Sequence, residues 1–311
     1  LPTLIMEQEW KSFLSHFEVY LRLERLLSEH SIIAYLSDVT KFTRFLLGKG
    51  VSPLAVDSIH IQEFLSVLHD VGMMATSQSR ILSGLRVFYK FLWLGRHITK
   101  DPTKLIESPQ LVQHLPSVLS VSEIEAIIHA IDHSTPIGMR NRAIVETLYG
   151  TGVRVSELIS LKLSHIYFEE SFVRVIGKGN KERLIPIGAI ALKYIKLYVQ
   201  EVRSHMGIQS GYLDTLFLNR RGSGLTRVMI FLMVQALARK AKIHVDVGPH
   251  IFRHSFATHL IEGGADLRAI QEMLGHSSIT TTEIYTHLDT NYLRQIMQDY
   301  HPRSHLNGPN K

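Results

Sequence analysis

Phe172-Val173-Arg174-Val175-Ile176 and Arg183-Leu184-Ile185-Pro186-Ile187 flank the turn Gly177-Lys178-Gly179-Asn180-Lys181. Two β-branched runs on either side of a Gly-containing turn read as a hairpin, and here its tip is basic. β-rich character extends from His165 to Gly188; outward from it in both directions apolar residues recur at helical spacing. The expected fold class is mainly α with a small antiparallel β-sheet in the second of two domains.

Immediately upstream, an apolar helix containing Ile144, Val145 and Leu148 ends at Gly150-Thr151-Gly152, and another begins close to Ser156, which puts Arg154 at a helix junction. Further back, Ser120 and Glu123 have capping-box spacing ahead of Ile124, Ile127, Ile128 and Ile131. Between Leu105 and Ser120 periodicity fails and Pro109 and Pro116 interrupt the chain, as in a linker. These signals bound a helical domain over 1–107, a linker over 108–118 and a second domain over 119–311. Downstream of the hairpin, helices are expected over 189–204 and from a Thr226 cap through Ile230, Met233, Val234 and Leu237. The last ten residues, rich in Pro, Asn, His and Ser, are expected to form a loose tail.

The first domain reads as a helical bundle. Its first helix carries Trp10, Phe13, Leu14 and Phe17, its second Ile32, Leu36, Val39, Phe42 and Leu46, and its third runs from an Asp57 cap to Gly72. The fourth sets Ile81, Leu85, Phe88 and Leu92 on one face and Arg80, Arg86 and Lys90 on its other side. A basic run of this kind is either a solvated face or a contact for an anion.

A chain of 311 residues with 45% hydrophobic content can bury two cores. The net charge of +6 favours an anionic partner without specifying one. Cysteine is absent, which excludes disulfides, thiolate metal sites and a thiol nucleophile, and fits a cytoplasmic setting. Neither a membrane span of about 18 or more apolar residues nor a signal-peptide pattern is present, so neither insertion nor secretion is expected.

The densest polar cluster is Pro249-His250-Ile251-Phe252-Arg253-His254-Ser255-Phe256-Ala257-Thr258-His259. His250 and Arg253, three apart, share a helix face, while Phe252, Phe256 and Leu260 supply the buried one. His250 and His254 have zinc-protease spacing, but Ile251 stands where such a site needs Glu, so no metal is expected and His254 and His259 are read as surface or structural residues. Further on, Leu274-Gly275-His276 precedes Tyr285, one of eleven tyrosines. Singly, each of these residues is ordinary. Together they meet the demands of phosphodiester transfer. A tyrosine nucleophile needs neighbours that favour its phenolate, the transition state needs guanidinium groups on its nonbridging oxygens, and the leaving alkoxide needs a proton. Arg154, Lys178, His250, Arg253, His276 and Tyr285 fill those roles with no cofactor.

Thr-Gly-Val-Arg-Val-Ser-Glu-Leu at 151–158, Gly-Lys-Gly-Asn-Lys-Glu-Arg at 177–183, His250-x-x-Arg253, Leu-Gly-His at 274–276 and Tyr285 nine residues after that His occur in one order and spacing. In these marks the chain resembles the tyrosine site-specific recombinases of the lambda-integrase superfamily, above all the bacterial Xer recombinases. Ser79-Arg80-Ile81-Leu82-Ser83-Gly84-Leu85-Arg86 and Asp101-Pro102 resemble the family's core-binding domain. Val153 stands where relatives often carry another aliphatic residue. The resemblance implies that Arg154 and Arg253 hold the scissile phosphate, His250 helps take the proton of Tyr285, His276 bonds the phosphate, Lys178 protonates the leaving 5′ hydroxyl and Glu157 orients a neighbour. It further implies a clamp of two domains on double-stranded DNA at a dif-like site, with Arg80, Arg86 and Lys90 on phosphates. A terminal helix at about 290–300, with Leu293, Ile296 and Met297 as its apolar stripe, would dock on a neighbour in a homo-oligomer or a hetero-tetramer with a second Xer recombinase. An FtsK-like DNA translocase is an optional activator, and the location implied is cytoplasmic, on the nucleoid. The alternatives are a mobile-element integrase or transposase, a type IB topoisomerase, and a catalytically silent architectural DNA-binding factor.

Overall fold

The computed structural model describes residues 2–109, 118–177, 180–245, 247–275 and 287–307. Two compact units divide the chain, Leu1–Gln113 and His114–Lys311.

The first unit holds α1 (Pro2–Leu23), α2 (Glu29–Leu47), α3 (Ser58–Asp70) and α4 (Ala75–Leu94). Asp57 caps α3 by accepting the His60 N–H at 3.1 Å, satisfying one of the donors a helix start leaves open. The apolar faces of the four helices meet in an aromatic core in which Trp10 stacks on Phe88 at 5.9 Å between ring centroids, while Phe17, Phe42, Ile81 and Leu85 are buried around them. Burying each such side chain is worth about 1.5–3 kcal/mol. One buried charge interrupts this core. Asp38 of α2 is fully buried and receives both ends of the Arg80 guanidinium, at 2.6 and 2.8 Å.

The second unit begins with α5 (Val121–His129), entered through the capping box of Ser120 and Glu123. Next come α6 (Pro136–Thr151), α7 (Val155–Ile159), the strands β1 (Ile166–Tyr167), β2 (Phe172–Ile176) and β3 (Glu182–Pro186), and α8 (Ala189–Glu201). The strands form one antiparallel sheet in the order β1-β2-β3, with Val175 opposite Arg183 and Val173 opposite Ile185. The sequence pattern supplies β2 and β3; β1, two residues long, is too short for any periodicity to declare it. α9 (Arg227–Lys240), α10 (Pro249–Gly263), α11 (Leu267–Leu274) and α12 (His287–Tyr300) complete the unit.

α6 runs through the middle of this unit. Every residue from Arg142 to Thr151 is buried, as expected of a helix surrounded on all sides. Its threonine hydroxyls are satisfied within the helix, Thr147 donating to the Ala143 carbonyl at 2.7 Å and Thr151 to that of Thr147 at 2.6 Å. The Leu293, Ile296 and Met297 stripe of α12 lies in the core of its own unit. Over its described residues the segment after α12 is ordered, in contrast to the loose tail expected from composition. Pro302–Asn307 form a 3-10 helix, His301 is buried against Tyr149, and Arg303 pairs with buried Glu146, a distant partner that local composition cannot reveal. Among the described residues no helix is long and apolar enough to cross a membrane.

Removing the Arg80 side chain leaves Asp38 buried without its cation. Arg80→Ala is expected to cost the first unit about 1–3 kcal/mol, less than a fully buried pair because Asp38 is buried but Arg80 is half-exposed, read as faster hydrogen exchange at the amides of α2 and α4. Burial pushes the Asp38 carboxyl up, against the attraction of Arg80. A carboxyl raised above its unfolded value stabilises the fold while protonated and loses that contribution as pH rises. The Arg80→Ala defect should therefore grow as pH rises from the ordinary carboxylate range.

Candidate active site

α6 ends where Gly152 takes a left-handed conformation, φ +60°. A side chain there would also collide, because a Cβ on Gly152 would lie 2.5 Å from Cδ1 of Phe256. The turn delivers Arg154 to the start of α7, where its backbone N–H donates to Oε2 of Glu157 at 2.8 Å and its Nη1 to Oε1 at 3.0 Å. Arg154 therefore has its main chain and side chain tied to one carboxylate.

Arg253 reaches the same place from α10. Its Nη1 donates to the Gly152 carbonyl at 2.8 Å and its Nη2 to the Leu274 carbonyl at 2.7 Å. Arg154 approaches that Leu274 carbonyl at 3.4 Å and the Gly275 carbonyl at 3.5 Å. The two guanidinium groups thus share an acceptor, although they are 99 positions apart by number. Burial, and then the charge of Arg154, push Arg253 down to about 10. It stays cationic near neutrality. His250 lies one turn before Arg253 and is exposed, with the backbone of Gly248 packed close to its ring and to Phe231.

Glu157 lies at the centre of the cluster. Burial opposes its ionisation, but hydrogen bonds from Arg183, the Arg183 charge and hydrogen bonds from Arg154 outweigh that and hold the carboxyl below the usual carboxylate range. Arg183 is the site residue that the sequence pattern does not single out. It closes the 177–183 motif and opens a β-branched run, so it reads as an ordinary strand residue; its place opposite Val175, on the buried side of β3, is the available signal. Lys178, His276 and Tyr285 lie outside the described residues. Their neighbours Gly177 and Gly275 are described, and both abut the cluster: a Cβ on Gly177 would lie 3.4 Å from Nη1 of Arg183, and one on Gly275 3.1 Å from it.

The other singled-out residues have different surroundings. His259 is buried, bonded to the Tyr149 hydroxyl at 2.8 Å, and burial lowers its pKa and raises that of Tyr149; both are structural. His254 is half-buried. No group of metal-ligating side chains occurs among the described residues. In the first unit, Arg80 is held by Asp38, Arg86 donates to the Ile106 carbonyl at 2.7 Å and to Ser108 at 3.1 Å, and Lys90 is exposed.

Two guanidinium groups around one acceptor, one of them held by a buried carboxylate, can clamp a tetrahedral phosphate. Residues 117–292 match the phage integrase family and residues 14–94 the phage integrase N-terminal SAM-like domain. The tyrosine recombinase XerD of Chlorobaculum tepidum is 42% identical over 300 residues, 96% of this chain and 98% of its own. A XerH site-specific recombinase, crystallised bound to palindromic difH substrate as a post-cleavage complex, is similar with a TM-score of 0.68 and 26% identity over 92% of this chain and 84% of that one. A lambda integrase dimer bound to a COC′ core site shares the fold, with a TM-score of 0.67 and 22% identity over 88% of this chain and 99% of that one. The chain belongs to the phage integrase family. Within it, the protein is a tyrosine recombinase of the Xer type, a DNA recombinase acting through a tyrosine.

Gly152 combines a left-handed backbone with a contact that admits no side chain, and its carbonyl holds Arg253. Gly152→Ala is expected to cost about 1–3 kcal/mol through overpacking, visible as a lower Tm. It should also slow DNA cleavage more than an equally destabilising change elsewhere in the second unit, because it displaces both arginines.

Proposed function

We propose that this recombinase resolves chromosome dimers at a dif-like site, with Tyr285 as nucleophile. The observation that carries the assignment of the reactive residues is the convergence of Arg154 and Arg253 on the Leu274 carbonyl. A guanidinium has five N–H donors, so these backbone bonds leave others for a scissile phosphate. Arg154 and Arg253 hold that phosphate and stabilise the charge that builds on its nonbridging oxygens. His250 helps accept the Tyr285 proton, His276 bonds the phosphate, and Lys178 protonates the departing 5′ hydroxyl. Tyr285 is left joined to the 3′ phosphate. A 5′ hydroxyl from a partner duplex then attacks, releasing the tyrosine, and the bond energy is conserved without a nucleotide cofactor.

Two domains are assigned, a core-binding domain over 1–107 and a catalytic domain over 119–311 joined by a linker. XerH was crystallised on a difH substrate, which supports a dif-like site and double-stranded DNA as the partner here. Arg80, Arg86 and Lys90 are assigned to DNA phosphates, Lys90 with the most direct access. α12 is assigned as the exchange helix: a stripe that fills a cavity in its own unit fits the same cavity in an identical or related neighbour, giving a homo-oligomer or a hetero-tetramer with a second Xer recombinase. An FtsK-like translocase is a candidate activator. The site of action is the cytoplasm, on the nucleoid.

A nicked suicide duplex carrying the target site should trap a covalent protein–DNA adduct in the presence of a chelator, and Tyr285→Phe should abolish it. An adduct that persists in Tyr285→Phe would assign the nucleophile elsewhere, and binding without any adduct would favour an architectural factor.

A further inference from the structure

Arg183 is 6% exposed and Glu157 5%. They meet fork to fork, Nη1 to Oε1 at 2.9 Å and Nη2 to Oε2 at 2.8 Å. A third Arg183 donor, Nε–H, bonds the Met273 carbonyl at 2.8 Å. Glu157 in turn holds Arg154 through both its backbone and its side chain. One buried ion pair therefore bridges the start of α7, the start of β3 and the end of α11. It also lies against Gly177 and Gly275, the residues that immediately precede Lys178 and His276 in the chain.

We propose that Arg183 is a positioning residue for phosphodiester transfer: by fixing both Glu157 oxygens it sets the direction in which Arg154 meets the scissile phosphate. The proposal rests on the reading that Arg154 clamps that phosphate. A buried ion pair is a weak source of stability, since an apolar pair of similar volume is often as good. What a planar, bidentate pair supplies is direction. With Oε1 and Oε2 both engaged by Arg183, the carboxylate cannot rotate, and the donors of Arg154 are aimed by its fixed edge. Lysine cannot replace this arrangement, because a single ammonium is a point charge that cannot hold both carboxylate oxygens and the Met273 carbonyl in one plane.

The test uses the full-length protein with Tyr285 intact and compares Arg183→Lys, Arg154→Ala and the double variant. The readout is the single-turnover rate of adduct formation on a nicked suicide duplex, with either an ordinary phosphate or a methylphosphonate at the scissile position. A methylphosphonate is neutral, so its reaction depends less on an aligned guanidinium clamp. With phosphate, Arg183→Lys is expected to slow adduct formation by about 10–100-fold, the scale of a small misplacement of a catalytic group, with DNA affinity unchanged. With methylphosphonate the defects of Arg183→Lys and Arg154→Ala should both shrink. The double variant should lose less than the product of the two single effects, because both act through one group. Glu157→Gln, which keeps the side-chain shape, should give the same pattern and decides the matter if Arg183→Lys does not fold. Equal losses on both substrates with multiplicative effects would make Arg183 merely structural and overturn the inference alone. An Arg154→Ala protein that cleaves at the normal rate would overturn the clamp reading and this inference with it.

Discussion

Three guanidinium groups converge on the carbonyl end of α11, and the geometry of the catalytic unit depends on that meeting. Arg183 bonds the Met273 carbonyl, Arg253 and Arg154 that of Leu274, and Arg154 that of Gly275. The last carbonyls of a helix have no partners within it and carry its negative partial charge, so they suit cations. Carbonyl dipoles and one carboxylate do not balance three full positive charges. The cluster therefore keeps a net positive charge, and the fold holds its cations in place.

The scaffold explains how such crowding persists. α6 is buried along its last three turns, so its end is a fixed point. Gly152, in a conformation that other residues resist, turns the chain at that point without moving Phe256. α7 then needs only five residues to present Arg154 and Glu157 on one turn. β3 brings Arg183 from the far side, through a register in which every neighbour on β2 is assigned. Packing, backbone conformation and electrostatics thus agree at one location.

Most of the helical frame is legible in the sequence because its signals are local. Apolar periodicity marks α2, α3 and α4, Asp57, Ser120 and Thr226 mark helix starts, and Gly152 marks the end of α6. Arg154, His250 and Arg253 stand out in the sequence only as members of a set of six ordinary residues whose chemistry one reaction would require. What stays hidden is set by distant partners. Arg183 looks like a strand residue because its partners, Glu157 and Met273, are 26 and 90 positions away. Arg303 looks like part of a tail because Glu146 is 157 positions away. Arg80 looks like a free surface cation because Asp38, 42 positions earlier, falls on an otherwise apolar face of α2. In each case the sequence displays one member of a pair without the distance between them.

The Arg80–Asp38 pair also affects how the first unit meets a polyanion. A cation releases condensed counterions from DNA to the extent that it brings uncompensated charge. Arg80 has its charge already matched by a carboxylate at 2.6 Å, so it brings little uncompensated charge to the surface on which it lies. The free positive charge of this unit is accordingly smaller than its count of basic residues suggests, and any salt-dependent attraction it exerts on an anion is flatter for it.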